Sequence, residues 1–129
     1  AQRAPHPQDR NQLVTAETLI LASKSAARRT MLENAGVAFD IRIADVDEEA
    51  IKAVSTDLDP AALAVRLAEA KALAVSRDDS TAWVLGADQT LAFAGGLVSK
   101  AQSLEAARAR LESMRGRTHH LHSGAALAV

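Results

Sequence analysis

The chain of 129 residues contains no cysteine. That excludes disulfides, zinc–thiolate centres and a thiol nucleophile, and an intracellular protein is the simpler expectation. Aromatic residues are nearly absent: Phe39, Trp83 and Phe93 are the whole set. They are too few for a platform that stacks the bases of single-stranded nucleic acid. Neither sign of charge is in excess. Lys and Arg number 15 and Asp and Glu number 16, for a net charge of −1. Binders of nucleic acid or of anionic membranes usually carry a basic surplus. No apolar run approaches the roughly 18–20 residues of a membrane span. The polar N-terminus, with Pro5 and Pro7, lacks the apolar centre of a signal peptide. These absences lead us to expect a cytoplasmic protein with no nucleic-acid or membrane partner.

What is present is an alternation of short apolar runs with helical patterns, which indicates an α/β architecture. The length suits one domain, large enough to bury a core without staples. Residues 1–16, rich in Gln, Arg, Pro and Asp, read as a flexible tail, and residues 17–129 as the domain. Leu19–Ala22 is a buried-strand run. A helix is expected from Ala26 to Ala35, with Gly36 just past its end. Val37–Ile43 alternates like a strand, and Asp45–Glu49 reads as an acidic turn. The strongest helix spans Pro60–Ser76, with Asp59 as cap and Pro60 in its first turn. Its expected apolar stripe is Leu63, Leu67, Ala70, Leu73 and Ala74. Thr81–Ala87 reads as a second buried strand ending at Asp88. A hairpin follows through Gly95-Gly96, then a helix capped by Ser103, with Glu105–Arg108 and Arg108–Glu112 pairs on its exposed side. His119–Val129 reads as a long strand. It ends in the apolar run AALAV, from which we expect either a piece of a longer chain or a layer supplied by a partner.

The segment Leu19–Leu32, LILASKSAARRTML, carries the first chemical signal. Arg28 and Arg29 sit in the first turns of a helix, where positive charge opposes the macrodipole. A bound anion would account for them, because hydroxyls, free backbone N–H groups and guanidinium forks converge where strand meets helix. A solvated basic helix start capped by Ser25 accounts for the same residues, and the local pattern does not choose between them. His119, His120 and His122 do not make a convincing metal site: on a strand, His120 and His122 share a face and His119 points away. Gly95-Gly96 lies in no phosphate-loop pattern.

Four separated motifs, with a fifth further on, resemble one family. Ser23-Lys24-Ser25-Ala26-Ala27-Arg28-Arg29 resembles the SxSPxR-type loop of the Maf proteins, Val46-Asp47-Glu48-Glu49 their acidic turn, and Leu67-Ala68-Glu69-Ala70-Lys71-Ala72 their LAxxKA helix. Gly86-Ala87-Asp88-Gln89-Thr90 resembles their GxDQ/GADT strand end, and Gly116-Arg117-Thr118-His119 with Ser123-Gly124 their GxxH…TG segment. Maf proteins are nucleoside triphosphate pyrophosphatases also linked to septum formation. The resemblance implies a Maf/ITPase-like mixed sheet flanked by helices, with a cleft at the strand ends. It implies hydrolysis of a nucleoside triphosphate to monophosphate and pyrophosphate, assisted by Mg²⁺ or Mn²⁺. Carried over, Ser23, Ser25, Arg28, Lys71 and Lys100 would hold phosphates. Glu48 and Asp88 would serve the metal, and Asp88 would be the general base. Family members often pair, so a homodimer is implied as well.

The residue types suit that chemistry independently of the name. Carboxylates bind hard cations and position water, while Arg and Lys offset phosphate charge. Departures from the pattern bear on the branch. Ala27 stands at the first arginine position and Gln89 replaces a threonine; the Asp88-Gln89 pair resembles the branch acting on 7-methyl-GTP, and Gln can both donate to and accept from a base edge. Ala26 and Ala101 stand where the family usually has proline. Members are longer, with a C-terminal part that has no counterpart here. A non-catalytic nucleotide-binding or cell-division regulatory module is therefore the alternative function.

Overall fold

Residues 18–129 are described by a computed structural model, so the expected tail over 1–16 lies outside the described residues. The elements run β1 (Leu19–Ala22), α1 (Ala26–Asn34), β2 (Asp40–Ile41), α2 (Glu48–Val54), α3 (Pro60–Ser76), β3 (Trp83–Phe93), β4 (Gly96–Val98), α4 (Leu104–Met114) and β5 (His119–Ala128). The result is an α/β fold built on one mixed five-stranded sheet.

β3 organises that sheet. β5 pairs with it antiparallel along almost its whole length, Val84↔Ala128 through Phe93↔His119. Its other edge is shared. β1 pairs there in parallel from Leu19↔Trp83 to Ala22↔Gly86, and β4 pairs antiparallel from Leu91↔Val98 to Phe93↔Gly96. Residues 87–90 therefore face neither β1 nor β4, which leaves a gap in the sheet on that side. Because β5 keeps β3 continuous across the gap, Asp88 lies within an 11-residue strand and not at its end, as the sequence suggests. Among the described residues no strand pairs with the outer edge of β5.

Other differences from expectation have local causes. The strand expected over Val37–Ile43 is reduced to Asp40–Ile41, because its partner β1 ends at Ala22 and only Ile20 and Leu21 are available to pair. Asp45–Glu49 is not just a turn. Asp47 accepts a hydrogen bond from the Ala50 N–H at 3.0 Å and caps α2, and Glu48 and Glu49 fall in the first turn, where negative charge complements the helix dipole. The Arg108–Glu112 pair forms at 3.3 Å, whereas no Glu105–Arg108 ion pair occurs among the described residues.

α3 starts as expected: Asp59 accepts from the Ala62 N–H at 2.8 Å. It covers one face of β1, β3 and β5, and the core lies beneath it, from Ile20 and Ala22 across to Val84 and Val75. Leu63 and Leu67 are buried as expected, but Leu73 is 49% exposed, and the buried row runs through Ala64, Ala68, Ala72 and Val75. The stripe is turned toward alanine because the helix backbone lies directly on two glycines. A Cβ on Gly86 would overlap the Ala68 carbonyl oxygen and come within 2.8 Å of the Ala72 nitrogen. One on Gly124 would lie 2.6 Å from the Ala64 oxygen and the Val65 nitrogen. The obstructing atoms are backbone and cannot rotate away.

Gly86→Ala and Gly124→Ala should each cost about 3 kcal/mol, at the upper end for overpacking. Gly116→Ala, where φ is +71° but no atom stands in the way, should cost about 1 kcal/mol. Urea unfolding of the three variants measures this, and equal losses would contradict the close-approach argument.

Candidate active site

At the gap beside β3, the loop after β1, the start of α2, the middle of α3 and the loop after β4 meet around an open cleft of about 960 Å³. The Ser23–Arg28 segment forms one wall. Ser25 caps α1 by accepting from the Arg28 N–H at 3.3 Å, and the buried Ser23 hydroxyl accepts from the Ser25 N–H at 3.1 Å and from an Arg28 guanidinium nitrogen at 3.2 Å. Ser23, Ser25 and Arg28 are thus brought together and line the cleft. Arg29 and Ala27 are exposed on α1 and do not line it.

The centre is an ion triad. Lys71 Nζ lies 2.8 Å from Asp88 Oδ2 and 3.1 Å from Glu48 Oε1, with the Lys71 and Asp88 side chains only 17% and 13% exposed. The other Asp88 oxygen, Oδ1, accepts from the Gln89 backbone N–H at 2.7 Å. Burial alone would push the Asp88 carboxyl up. The Lys71 hydrogen bond, the Gln89 N–H and the Lys71 charge outweigh it and hold the group below its ordinary value. Asp88 is therefore ionised at neutral pH. Gln89, next along the strand, is exposed and points to the opposite sheet face, but its residue still borders the cleft. Lys100 is exposed and lines the cleft from the loop after β4.

The sequence reasoning missed three further cleft cations: Lys24, Lys52 and Arg110. Lys24 sits inside a motif already singled out. Lys52 became visible only once the acidic turn proved to begin a helix. Arg110 lies on an otherwise ordinary polar helix, and nothing in its local pattern marks it. In all, six Lys and Arg and three Asp and Glu line the cleft, so its field favours a polyanion.

Two hard carboxylates, Glu48 and Asp88, converge on a single cation, the Lys71 ammonium. That donor set fits Mg²⁺ or Mn²⁺, which take one or two carboxylates and complete their shells with water and phosphate oxygens. Among the described residues no group of three or more His, Cys, Asp and Glu could hold a metal by itself. His120 and His122 stack with ring centroids 6.1 Å apart, a pair without a third partner. No helix among the described residues is long and apolar enough to cross a membrane.

The fold and the cleft together define a class: an α/β domain that presents a cation-rich, carboxylate-centred pocket at a gap in its sheet. The chain belongs to the Maf-like protein family, whose profile matches residues 18–129. It is 52% identical over 108 residues to a nucleoside triphosphate pyrophosphatase of Maricaulis maris, a match covering 84% of this chain and 55% of that relative. It is 50% identical over 110 residues to a nucleoside triphosphate pyrophosphatase of Caulobacter vibrioides, with the same shares covered. It is 43% identical over 112 residues to a 7-methyl-GTP pyrophosphatase of Brucella abortus, with 85% of this chain and 56% of that relative covered. The chain thus spans about half the length of these relatives.

Lys71→Met should destabilise the fold at neutral pH by about 1–3 kcal/mol, because it leaves Glu48 and Asp88 without their shared counter-charge. The sign with pH follows from the depressed Asp88 carboxyl. Its contribution is present above the ordinary carboxylate value and is lost as pH falls through the lower folded-state value. The difference between wild type and variant should therefore shrink from pH 6 toward pH 3 in thermal unfolding. A constant difference would contradict it.

Proposed function

We propose that this chain carries the phosphate-binding and hydrolytic core of a nucleoside triphosphate pyrophosphatase. Water attacks the α-phosphorus, the bridging bond to the β-phosphate breaks, and a nucleoside monophosphate and pyrophosphate leave. The observation that carries the reading is the ionised Asp88, held with Glu48 and Lys71 at the sheet gap and facing a cleft where cations outnumber carboxylates. The relatives' names support the same reading.

In this reading Ser23, Ser25 and Arg28 receive one end of the triphosphate, because hydroxyls and a guanidinium fork match phosphate oxygens. Lys71 and Lys100 offset charge that develops on the phosphates. Asp88 orients the attacking water and accepts its proton, a role that needs the ionised carboxylate. Lys71 is then the counter-ion that leaves Asp88 for a phosphate oxygen, which frees Oδ2. Glu48 and Asp88 would hold a divalent cation, which when bound supplies further charge neutralisation for phosphate and water. We also propose a cytoplasmic location and a homodimeric assembly.

For substrate we propose 7-methyl-GTP. Gln89 supports it, since its amide can donate to and accept from a base edge, and so does the likeness to the Brucella protein of that name. A second reading, nucleotide binding without turnover, draws on the Lys71 ammonium, which engages both Asp88 Oδ2 and Glu48 Oε1, the oxygens that a metal or an attacking water would need.

Pyrophosphate release from 7-methyl-GTP, UTP, dTTP and GTP with Mg²⁺ or Mn²⁺ is the test. Turnover fastest on 7-methyl-GTP is expected, and Asp88→Asn should lower kcat by at least about 10²-fold, the scale of a lost general base, while nucleotide still binds. Preference for UTP or dTTP would keep the chemistry and overturn the substrate. Binding with no turnover would replace the first reading with the second.

A further inference from the structure

The segment Ser99–Gln102 supplies Lys100 to the cleft, yet little in the sheet fixes it. β4 ends at Val98 after three pairings with β3, and residues 99–102 belong to no strand or helix. One side chain reaches into the segment. A guanidinium nitrogen of Arg110 donates to the Ser99 carbonyl oxygen. Among the described residues no other side-chain hydrogen bond or ion pair involves positions 99–102.

Arg110 is placed for this task. It is half-buried in the middle of α4 and lines the same cleft as Lys100. Arg108, on the same helix, pairs with Glu112, whereas no carboxylate pairs with Arg110 among the described residues. α4 itself is held by few apolar contacts: Met114 is its one buried residue, and Leu104 and Leu111 are 91% and 69% exposed. The Arg110–Ser99 bond therefore joins a loosely packed helix to a loosely paired loop. A fixed Ser99 carbonyl fixes the planar peptide that carries the Lys100 Cα, and so narrows the directions in which that side chain can leave the backbone to those allowed by one remaining torsion.

We infer that Arg110 is a positioning residue, which holds the Ser99–Lys100 peptide so that the Lys100 ammonium faces the phosphates of a bound nucleotide. The inference rests on the proposed function, and it deepens that reading by naming a residue that acts through Lys100. Pre-organisation is the physical gain: a tethered peptide has less backbone entropy left to lose when the anion arrives.

Two measurements on the full chain test it. Amide hydrogen exchange reads the tether without any ligand: in Arg110→Gln, exchange across residues 99–102 should speed up while α3 stays protected. Unchanged exchange there would overturn the inference. Titration with inorganic tripolyphosphate then reads the consequence for wild type, Arg110→Gln, Lys100→Ala and the double variant. Each single change should weaken binding about tenfold, the size of one charge-assisted hydrogen bond. The double variant should match Lys100→Ala within about twofold, because a residue acting through Lys100 has nothing left to position. Losses that multiply would overturn the positioning role, as would undiminished affinity in Arg110→Gln. A wild-type chain with no affinity for tripolyphosphate but the expected exchange change would overturn the proposed function and the anion-facing role of Lys100, leaving only a structural tether.

Discussion

The constraint on which the rest of this structure depends is the close approach of α3 to the sheet. Three contacts mark its course: Gly86 against Ala68 and Ala72, Gly124 against Ala64, and the Thr90 hydroxyl donating to the Pro60 carbonyl at 2.6 Å. Gly124 pairs with Asp88, so these contacts step along β3 by two residues while they step back along the helix by four. Two strand residues advance about 6.6 Å and four helix residues about 6 Å, so helix and strand stay in step. Such packing needs alanine on the helix and glycine on the strands at the crossing points. It also brings Lys71, the residue before Ala72, within reach of Asp88, two positions beyond Gly86.

The second constraint is the change of neighbour along β3. A strand paired on both edges has its backbone groups occupied and its side chains fenced by those of its neighbours. Between Gly86 and Leu91 one neighbour has ended and the next has not begun. The Asp88 carboxylate emerges at that opening, and the Gln89 N–H, freed from any partner on β1 or β4, donates to it. Lys71 is the main cause that lowers the Asp88 carboxyl, and the topology adds the second through the Gln89 N–H. β5 makes this feasible, because its continuous ladder holds the strand straight across the gap.

These two constraints separate what could be read in the sequence from what could not. α3 and its cap were legible because Asp59-Pro60 and the helical period are local signals. The α/β class, the β3–β4 turn and the Ser103 cap were legible for the same reason. The residues of the central triad could be named from their motifs, but their meeting could not, since Glu48, Lys71 and Asp88 come from three elements that only the helix–sheet crossing unites. The tilt of the buried stripe toward alanine was hidden because hydrophobicity favours leucine, whereas space favoured the smaller side chain. α2 was hidden because Asp47-Glu48-Glu49 satisfies a turn and a helix start equally well. Arg110 was hidden because its partner is a backbone carbonyl, which leaves no mark on sequence.

The composition of the cleft also divides affinity from discrimination. Phosphate is common to every nucleotide, so contacts from Ser23, Arg28, Lys71 and Lys100 would contribute to all of them alike, and specificity requires a difference between ligands. Stacking does not provide one here, because none of Phe39, Trp83 and Phe93 lines the cleft. What remains within these residues is the amide of Gln89 and an apolar border of Leu91, Leu97 and Leu121. Apolar contact distinguishes bases weakly, whereas a buried amide left without its partner penalises the wrong base edge strongly. Gln89 is exposed and on the sheet face away from α3, so its amide stays hydrated until something covers that face. In the proposed function, discrimination by Gln89 would therefore depend on how completely the bound state excludes water there. The proposed phosphate contacts, which would draw on charge already assembled around the gap, would not carry that dependence.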